Sequence, residues 1–286
     1  MPLIALLATL VCCFQSTSYA TSTDGAFPLP LSRPIKVTDT YLLKGMSTQI
    51  SRVTTTDPNG VTKVMQDDTA VVNIDAMCEV AGVTEDGQEA VKLVTIRNAQ
   101  LRRQGEVTDL VPTGTSLKAT FTNEGTEITK DGVPVPMEVM VHLVNLIRGE
   151  GGSRTGAMMD PPGPVAVGAS WPMDSTTFLN MLGDLVSKQP ASVSGSISFT
   201  SVDSAGVRPD AVVVLTAHAV DAIGSLGQAT PTSSSIVMNI TVHAPLDTRY
   251  PLTATNTFTR LATHFGSGPG SAHVESISTV DLQFLR

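Results

Sequence analysis

Alternation of apolar and polar residues with a period of two runs through most of this chain and constrains its fold more than any other feature. The pattern marks residues 37–55, 61–67, 69–82, 88–103, 116–123, 126–130, 192–203, 209–221, 234–244, 250–264 and 272–285. Successive side chains of a strand point to opposite faces of its sheet, so each segment predicts a strand with one buried face. Asp, Asn and Gly residues suited to tight turns separate most of the segments, which favours antiparallel pairing of consecutive strands.

The middle of the sequence changes period. Apart from the terminal Arg148, residues 136–148 are apolar except for Glu138, His142 and Asn145, which share one face of a helix. Pro136 in the first turn and a glycine directly after the segment suit the two ends of a helix. The sequence therefore predicts a largely buried helix at this place.

A second helix is predicted from Asp174, as its N-cap, through Ser187. Between the two helices, residues 149–169 are rich in Gly and Pro and predict a mobile connector.

The order of strands, helix, connector, helix and strands predicts a mainly β protein with two helices, of the α+β class. We expect a long curved antiparallel sheet, or half-barrel, wrapped on two central helices, because a helix that is apolar nearly all round needs a concave sheet to cover it. Residues 36–286 then form a single β-rich domain. Two halves joined at 149–170 are the alternative.

The first twenty residues predict an export signal. The apolar run 3–14 is too short to span a bilayer, and Ser18 and Ala20 fit the small-residue rule for cleavage, which we expect after Ala20. Neither Lys nor Arg precedes the run, which departs from the usual pattern. A lipid anchor at Cys13 is the alternative. Residues 21–35, with two prolines and a glycine, predict an extended lead-in.

An exported chain enters an oxidising compartment, yet Cys78 is the only cysteine left after cleavage, so no intramolecular disulfide is expected. No later apolar stretch has the length of a transmembrane helix, and we expect an extracytoplasmic protein, periplasmic or secreted. The formal net charge is -8 and the pI is about 5.0. Nucleic acid is therefore not an expected partner, because affinity for phosphates requires clustered Lys and Arg.

Residues 162–171 match the pattern Pro-x-x-Val-x-Val-Gly-x-x-Trp, which ends at Trp171. This segment resembles functionally uncharacterised exported bacterial proteins with β-rich sequences, and the resemblance implies a bacterial envelope protein without implying an activity. In architecture, the predicted sheet is also similar to periplasmic lipoprotein-carrier and lipid-carrier half-barrels. Gly168 is expected in a tight turn, and Trp171 is expected to anchor the second helix against the sheet.

Catalytic and cofactor motifs are absent. The chain lacks Gly-x-Ser-x-Gly, and the glycine-rich residues 266–270 have no following Lys, so they are typical of a turn and not of a phosphate-binding loop. Asp67 and Asp68 must face opposite ways if extended, which disfavours a glycosidase pair. No cofactor is expected.

The histidines have no spacing that specifies a metal site. His218, His243, His264 and His273 all fall in the C-terminal strands, where only the pairing of the strands can bring them together. His142 and Glu138 lie one helical turn apart and are interpreted as part of the solvated stripe of their helix.

Methionine supplies the positive signal for function, because it adapts to irregular apolar partners. Six residues around the two helices form the predicted ligand site: Met137, Met140, Met158, Met159, Phe178 and Met181. These methionines are interpreted first as side chains that fill the core under the helices. The functional hypothesis is a non-enzymatic exported protein that binds an apolar, lipid-like ligand between helices and sheet. One alternative is an envelope assembly protein that binds a partner at a sheet edge, and another is a secreted hydrolase with a nonlocal site.

Overall fold

The computed structural model describes residues 25–33, 35–85, 87–122, 125–147, 156, 159–182, 186, 189–204, 208–223, 230–266 and 270–285, with the side chains of Asn180 and Met181 excepted. Its strands are β1 (Ala26–Phe27), β2 (Thr40–Thr56), β3 (Thr62–Val83), β4 (Glu89–Arg103), β5 (Glu106–Asp109), β6 (Ser116–Phe121), β7 (Thr126–Lys130), β8 (Val133–Pro134), β9 (Val165–Ala166), β10 (Ser170–Pro172), β11 (Ser192–Asp203), β12 (Asp210–Val220), β13 (Ser233–Pro245), β14 (Ala254–Phe265) and β15 (Ala272–Leu285). Its helices are α1 (Met137–Ile147) and α2 (Ser175–Leu182).

Thirteen of these strands form one antiparallel sheet. Its order is β10-β11-β12-β13-β14-β15-β2-β3-β4-β6-β7-β8, with β5 also paired to β4. Most neighbours are consecutive in sequence, as the turn residues predict, and the exception lies at the centre, where β15 pairs with β2. The sheet is open, because among the described residues β10 and β8 each have a strand on one side only. The prediction of a mainly β protein with two helices and a large antiparallel sheet is confirmed.

The ends of α2 follow from local chemistry. The carboxylate of Asp174 accepts hydrogen bonds from the backbone N–H groups of Thr176 (3.3 Å) and Thr177 (3.0 Å) and from the hydroxyl of Thr177. These bonds, the hydroxyl bond first, lower the pKa of Asp174. The predicted N-cap is confirmed. Residues 183–185 and 187, over which the prediction continues the helix, lie outside the described residues.

Residues 25–33 of the lead-in pack against the rest of the described chain. Its strand β1 pairs with β9, and the side chains of Leu29 and Leu31 are buried. Asp160 accepts hydrogen bonds from the backbone N–H groups of Leu31 and Ser32 and, at 2.6 Å, from the Ser32 hydroxyl. Arg33 is 2% exposed and donates from Nη2 to the carbonyl of Pro245 at 2.9 Å. These contacts fix residues 29–33 against the segment that precedes β9 and against the end of β13.

Two details of the sequence prediction are wrong. Strands 61–67 and 69–82 are in fact the single strand β3, because Asp67 and Asp68 are held by Arg52 at 3.0 Å and Arg103 at 2.5 Å and do not interrupt the pairing. Helix α1 is also less buried than predicted. It packs Leu143, Leu146 and Ile147 against the sheet but leaves Met137 and Val141 exposed.

Candidate functional site

Both helices lie over the same face of the large sheet, called here the inner face. A β-carbon placed on Gly45 of β2 would come within 3.1 Å of Leu146 of α1, so odd-numbered positions in this part of β2 point toward α1. On β11, a β-carbon on Gly195 would meet the sulfur of Met173, just before α2, at 2.9 Å.

Directly paired residues share a face, and the register connects the strands that contact α2 with the strands that contact α1. It runs from Gly195 through Ala217, Met238, Thr259 and Ser278 to Gln49, which has the same parity as the glycine of β2 that meets α1. The faces that meet α1 and α2 are therefore one and the same.

Two separate apolar clusters occupy this face. The α1 cluster joins α1 to β2, β3, β4, β6, β7 and the end of β15, and includes Leu43, Ile74 and Leu146. The α2 cluster joins α2 to β11, β12 and β13, and includes Trp171, Phe178 and Met238. Since no residue belongs to both clusters, the middle of the inner face is left between them.

That middle carries uncharged polar side chains, called here the polar strip: Gln49 and Ser51 of β2, Thr257 and Thr259 of β14, and Ser276 and Ser278 of β15. Five are half-buried and Ser276 is exposed, whereas the apolar clusters beside them are sealed. Within the described part of the chain, none of the six has a side-chain hydrogen-bond partner of its own. Their hydroxyl and amide groups are both donors and acceptors, so the strip can bind neutral polar groups.

Apolar side chains border the strip. Met238 lies directly across from Thr259 and is 7% exposed, while Leu261 and Val280 are half-buried within the same rows. A molecule that rests here therefore meets hydrogen-bonding groups below it and hydrocarbon on its flanks.

Charged residues stand at the α1 side of the strip. Arg103 donates from Nε and Nη2 to the two oxygens of Asp68, at 3.1 and 2.5 Å, and its partner across the sheet, Ala70, is itself opposite Gln49. Burial first, and then the positive charge of Arg103, lower the pKa of His142 on α1. The imidazole of His142 is therefore mainly neutral near pH 7, with a carboxylate–guanidinium pair close by.

Lys92 of β4 contacts the C-terminal end of α1. Its side chain is almost completely buried, and its ammonium donates to the carbonyl of Ile147, the last residue of α1, at 2.8 Å. It also pairs with Glu89 at 2.9 Å and lies 5.3 and 5.5 Å from the ring centres of Tyr41 and Phe121. A cation at a helix C-terminus compensates its unpaired carbonyls and its dipole, so Lys92 positions α1 over the sheet.

The structure separates the residues of the predicted methionine site. Met159 and Phe178 are completely buried together in the α2 cluster. Met140 packs half-buried against the α1 cluster, and Met137 is 64% exposed at the start of α1. Met158 lies outside the described residues, as does the side chain of Met181. Ligand binding by these six residues stays a prediction.

Several single residues behave as their sequence context indicates. Cys78 is buried as a small apolar residue on the inner face of β3. Gly168 has a positive φ of 89°, as a tight turn requires. The indole of Trp171 is nearly buried in the α2 cluster and donates to the carbonyl of Met159 at 3.2 Å.

No helix among the described residues is long and apolar enough to cross a membrane.

Sequence reasoning missed the polar strip and Lys92, although both leave a signal. In Lys92-Leu93-Val94-Thr95-Ile96 the lysine shares its parity with Val94 and Ile96, which places a charge on the buried face. On β2, the polar positions 47, 49 and 51 continue the parity of the buried Leu43.

Comparisons with known proteins show no family. No family model matches the chain, and no curated protein matches it. A solved structure of lipid–protein interactions in lipovitellin is similar at 11% identity over 87% of this chain, which spans 25% of that protein, with a TM-score of 0.36. An outer membrane channel from Pseudomonas putida F1 is similar at 11% identity over 89% of this chain and 98% of its own, with a TM-score of 0.22. The CymD monoaromatic hydrocarbon channel is similar at 11% identity over 91% and 94% of the two chains, with a TM-score of 0.17. At such TM-scores these likenesses carry no argument about this chain.

Proposed function

We propose that this chain is an exported, extracytoplasmic protein, cleaved near Ala20, that binds an amphiphilic, lipid-like ligand on the inner face between α1 and α2. The observation that carries the proposal is the polar strip lying between two sealed apolar clusters. A ligand with an uncharged polar part and a hydrocarbon part satisfies both chemistries. A purely polar ligand leaves the bordering apolar side chains in water, and a purely apolar one leaves the strip unbonded.

The size of the sheet supports a concave binding face. Strands twist, and open sheets of more than about ten strands curl or split. A continuous sheet of thirteen strands, with both helices on one face, is best accommodated as a half-barrel around the helices. The exposed Met137 and Val141 of α1 then offer flexible apolar contact to a ligand that enters beside this helix.

Substitution on one strand tests the proposal with a matched control. Ser278 of β15 faces the polar strip, and Thr279, its neighbour with similar burial, faces the opposite side of the sheet. The measurement is the titration of each chain with a fluorescent fatty acid, together with mass spectrometry of lipids extracted after gentle purification.

We expect Ser278→Arg to weaken fatty-acid binding about tenfold or more, since an arginine fills the strip with bulk and charge, and we expect Thr279→Arg to bind as the original chain does. Equal binding by both variants, or no binding by the original chain, contradicts the proposal. Export is tested separately, because a processed chain should begin at Thr21.

A free strand edge favours a second candidate function, assembly with a protein partner. Residues 62–69 of β3 pair with β2 on one side, and no described strand pairs with them on the other, since the pairing with β4 begins at Ala70. Val64 and Met65 on this edge are 60% and 65% exposed. An extended segment of a partner can add to such an edge through main-chain hydrogen bonds. Native mass spectrometry that shows a stoichiometric protein partner, lost in Val64→Pro, supports this candidate.

A further inference from the structure

Two histidines face each other across β14 and β15 on the outer face of the sheet. His264 and His273 are directly paired in the register, and their ring centres lie 4.2 Å apart with 31° between the ring planes. Side chains of directly opposed residues share a face, with β-carbons about 4.5–5.5 Å apart. The pairing of the strands thus brings together two histidines whose spacing in the sequence does not specify a metal site.

The two histidines of this pair differ in exposure. Nδ1 of His273 is buried and lacks a hydrogen-bond partner among the described residues, while the backbone of Thr263 is hydrogen-bonded to the ring of His273. His264 is solvent-exposed. Because the two ring centres lie only 4.2 Å apart, rotation of the exposed His264 imidazole about its side-chain bonds can bring one of its nitrogens beside the His273 ring. Neutral imidazole nitrogen is the commonest protein ligand of Zn²⁺, Ni²⁺ and Cu²⁺.

Charges of both signs lie near this pair, Arg260 opposing a cation at His273 and Glu275 favouring one. The nearest arginines on this face, Arg260 and Arg52, are each paired with a carboxylate, at 2.6 Å to Glu275 and at 3.0 Å to Asp67. Glu275 lies two residues from His273 on the same face and is 15% exposed in its side chain. The surroundings of the histidine pair are therefore close to neutral, with a carboxylate nearby.

We propose that His264 and His273 form a binding site for one divalent transition-metal ion, with water completing the coordination. In the described part of the chain no three His, Cys, Asp or Glu side chains are grouped to hold a metal ion. The site is thus an open two-histidine site, selective for the metals that prefer nitrogen over oxygen ligands. Bound metal joins β14 to β15 beside their connecting turn and stabilises the folded chain.

Titration of the full chain, purified without a polyhistidine tag, with ZnCl2 at pH 7.5 tests the site. We expect one Zn²⁺ per chain, and His264→Asn and His273→Asn each to weaken that binding about tenfold or more. His243→Asn is the matched control, because His243 pairs with Val212 and Ala254 and with no other histidine. It should bind as the original chain does.

Melting temperatures, measured with and without Zn²⁺, distinguish the loss of the metal site from the misfolding of a variant. Zn²⁺ should raise the melting temperature of the original chain and of His243→Asn but not of the two pair variants, whose melting temperatures without metal should stay close to the original. The proposal is overturned if the original chain binds no Zn²⁺, if the pair variants bind as well as it does, or if His243→Asn loses binding equally. None of these outcomes depends on the lipid-like ligand, which is proposed for the opposite face.

Discussion

Replacing Lys92 by methionine is expected to lower the free energy of unfolding by about 3–5 kcal/mol, because it leaves a buried carboxylate without its cation. The ammonium lies 2.8 Å from the carbonyl of Ile147 and 2.9 Å from Glu89, and the side chains of Lys92 and Glu89 are 1% and 7% exposed. Methionine keeps most of the length of the stem, so little of the loss comes from a cavity. Hydrogen bonds to charged groups contribute about 1.5–3 kcal/mol, and the loss of the cation beside the buried Glu89 carboxylate accounts for the rest.

A second substitution separates the two contributions. Lys92→Met combined with Glu89→Leu removes both charges, and apolar replacements of a buried ion pair are often neutral. We therefore expect the double variant to be more stable than Lys92→Met alone. Lys44→Met, on the exposed outer face of β2, is the control and should change stability by no more than about 0.5 kcal/mol.

Equilibrium unfolding in urea measures these free energies. Trp171 is the only tryptophan and lies in the α2 cluster, whereas circular dichroism reports on the whole sheet. Coincident transitions by the two probes show that the clusters unfold together. A loss below about 1 kcal/mol in Lys92→Met, or a double variant that is less stable than the single one, refutes the ion-pair reasoning.

Three further changes test other parts of the structure. Gly45→Ala should destabilise by about 1–3 kcal/mol in urea unfolding, because its β-carbon would lie 2.8 Å from a leucine side chain, whereas Gly163→Ala, with open space around it, should be near neutral. Asp174→Ala should cost about 1 kcal/mol through loss of the cap of α2, and an unchanged urea midpoint contradicts that role. The folded-state pKa of His142 is lowered, so stability present above the unfolded pKa of about 6.5 is lost as pH falls toward the folded value. His142→Gln should reduce this loss, and an unaltered pH profile of the melting temperature argues against it.

The sequence predicts the strands well because their signals are local. Alternation and turn residues place β11 and β15 at the observed residues 192–203 and 272–285, and the carboxylate of Asp174 begins α2 where expected. The predicted break between strands at Asp68 is wrong. Asp67 and Asp68 each have an arginine on a neighbouring strand, which only the register reveals.

The candidate sites depend on register and on packing, which no local pattern encodes. The alternation of β2 shows that Gln49 and Ser51 share a face, but not that α1 and α2 leave that face uncovered. Likewise His264 and His273 are visible in two strands, but their contact requires the turn between those strands to have one particular length. Lys92 was overlooked because a charged residue within a strand usually faces water.

The central position of β15 determines the order in which this sheet can be completed. β15 is the last strand along the described chain, and it pairs with β14 on one side and with β2, near the start, on the other. Contacts this distant in sequence form slowly, because a long loop must close first. Until the 14 residues of β15 are in place, β2 and β14 both present long unpaired edges, which is the form of a chain most prone to aggregate. A nascent chain stopped before Ala272 is therefore two incomplete half-sheets, and should depend most on a chaperone that shields extended strands.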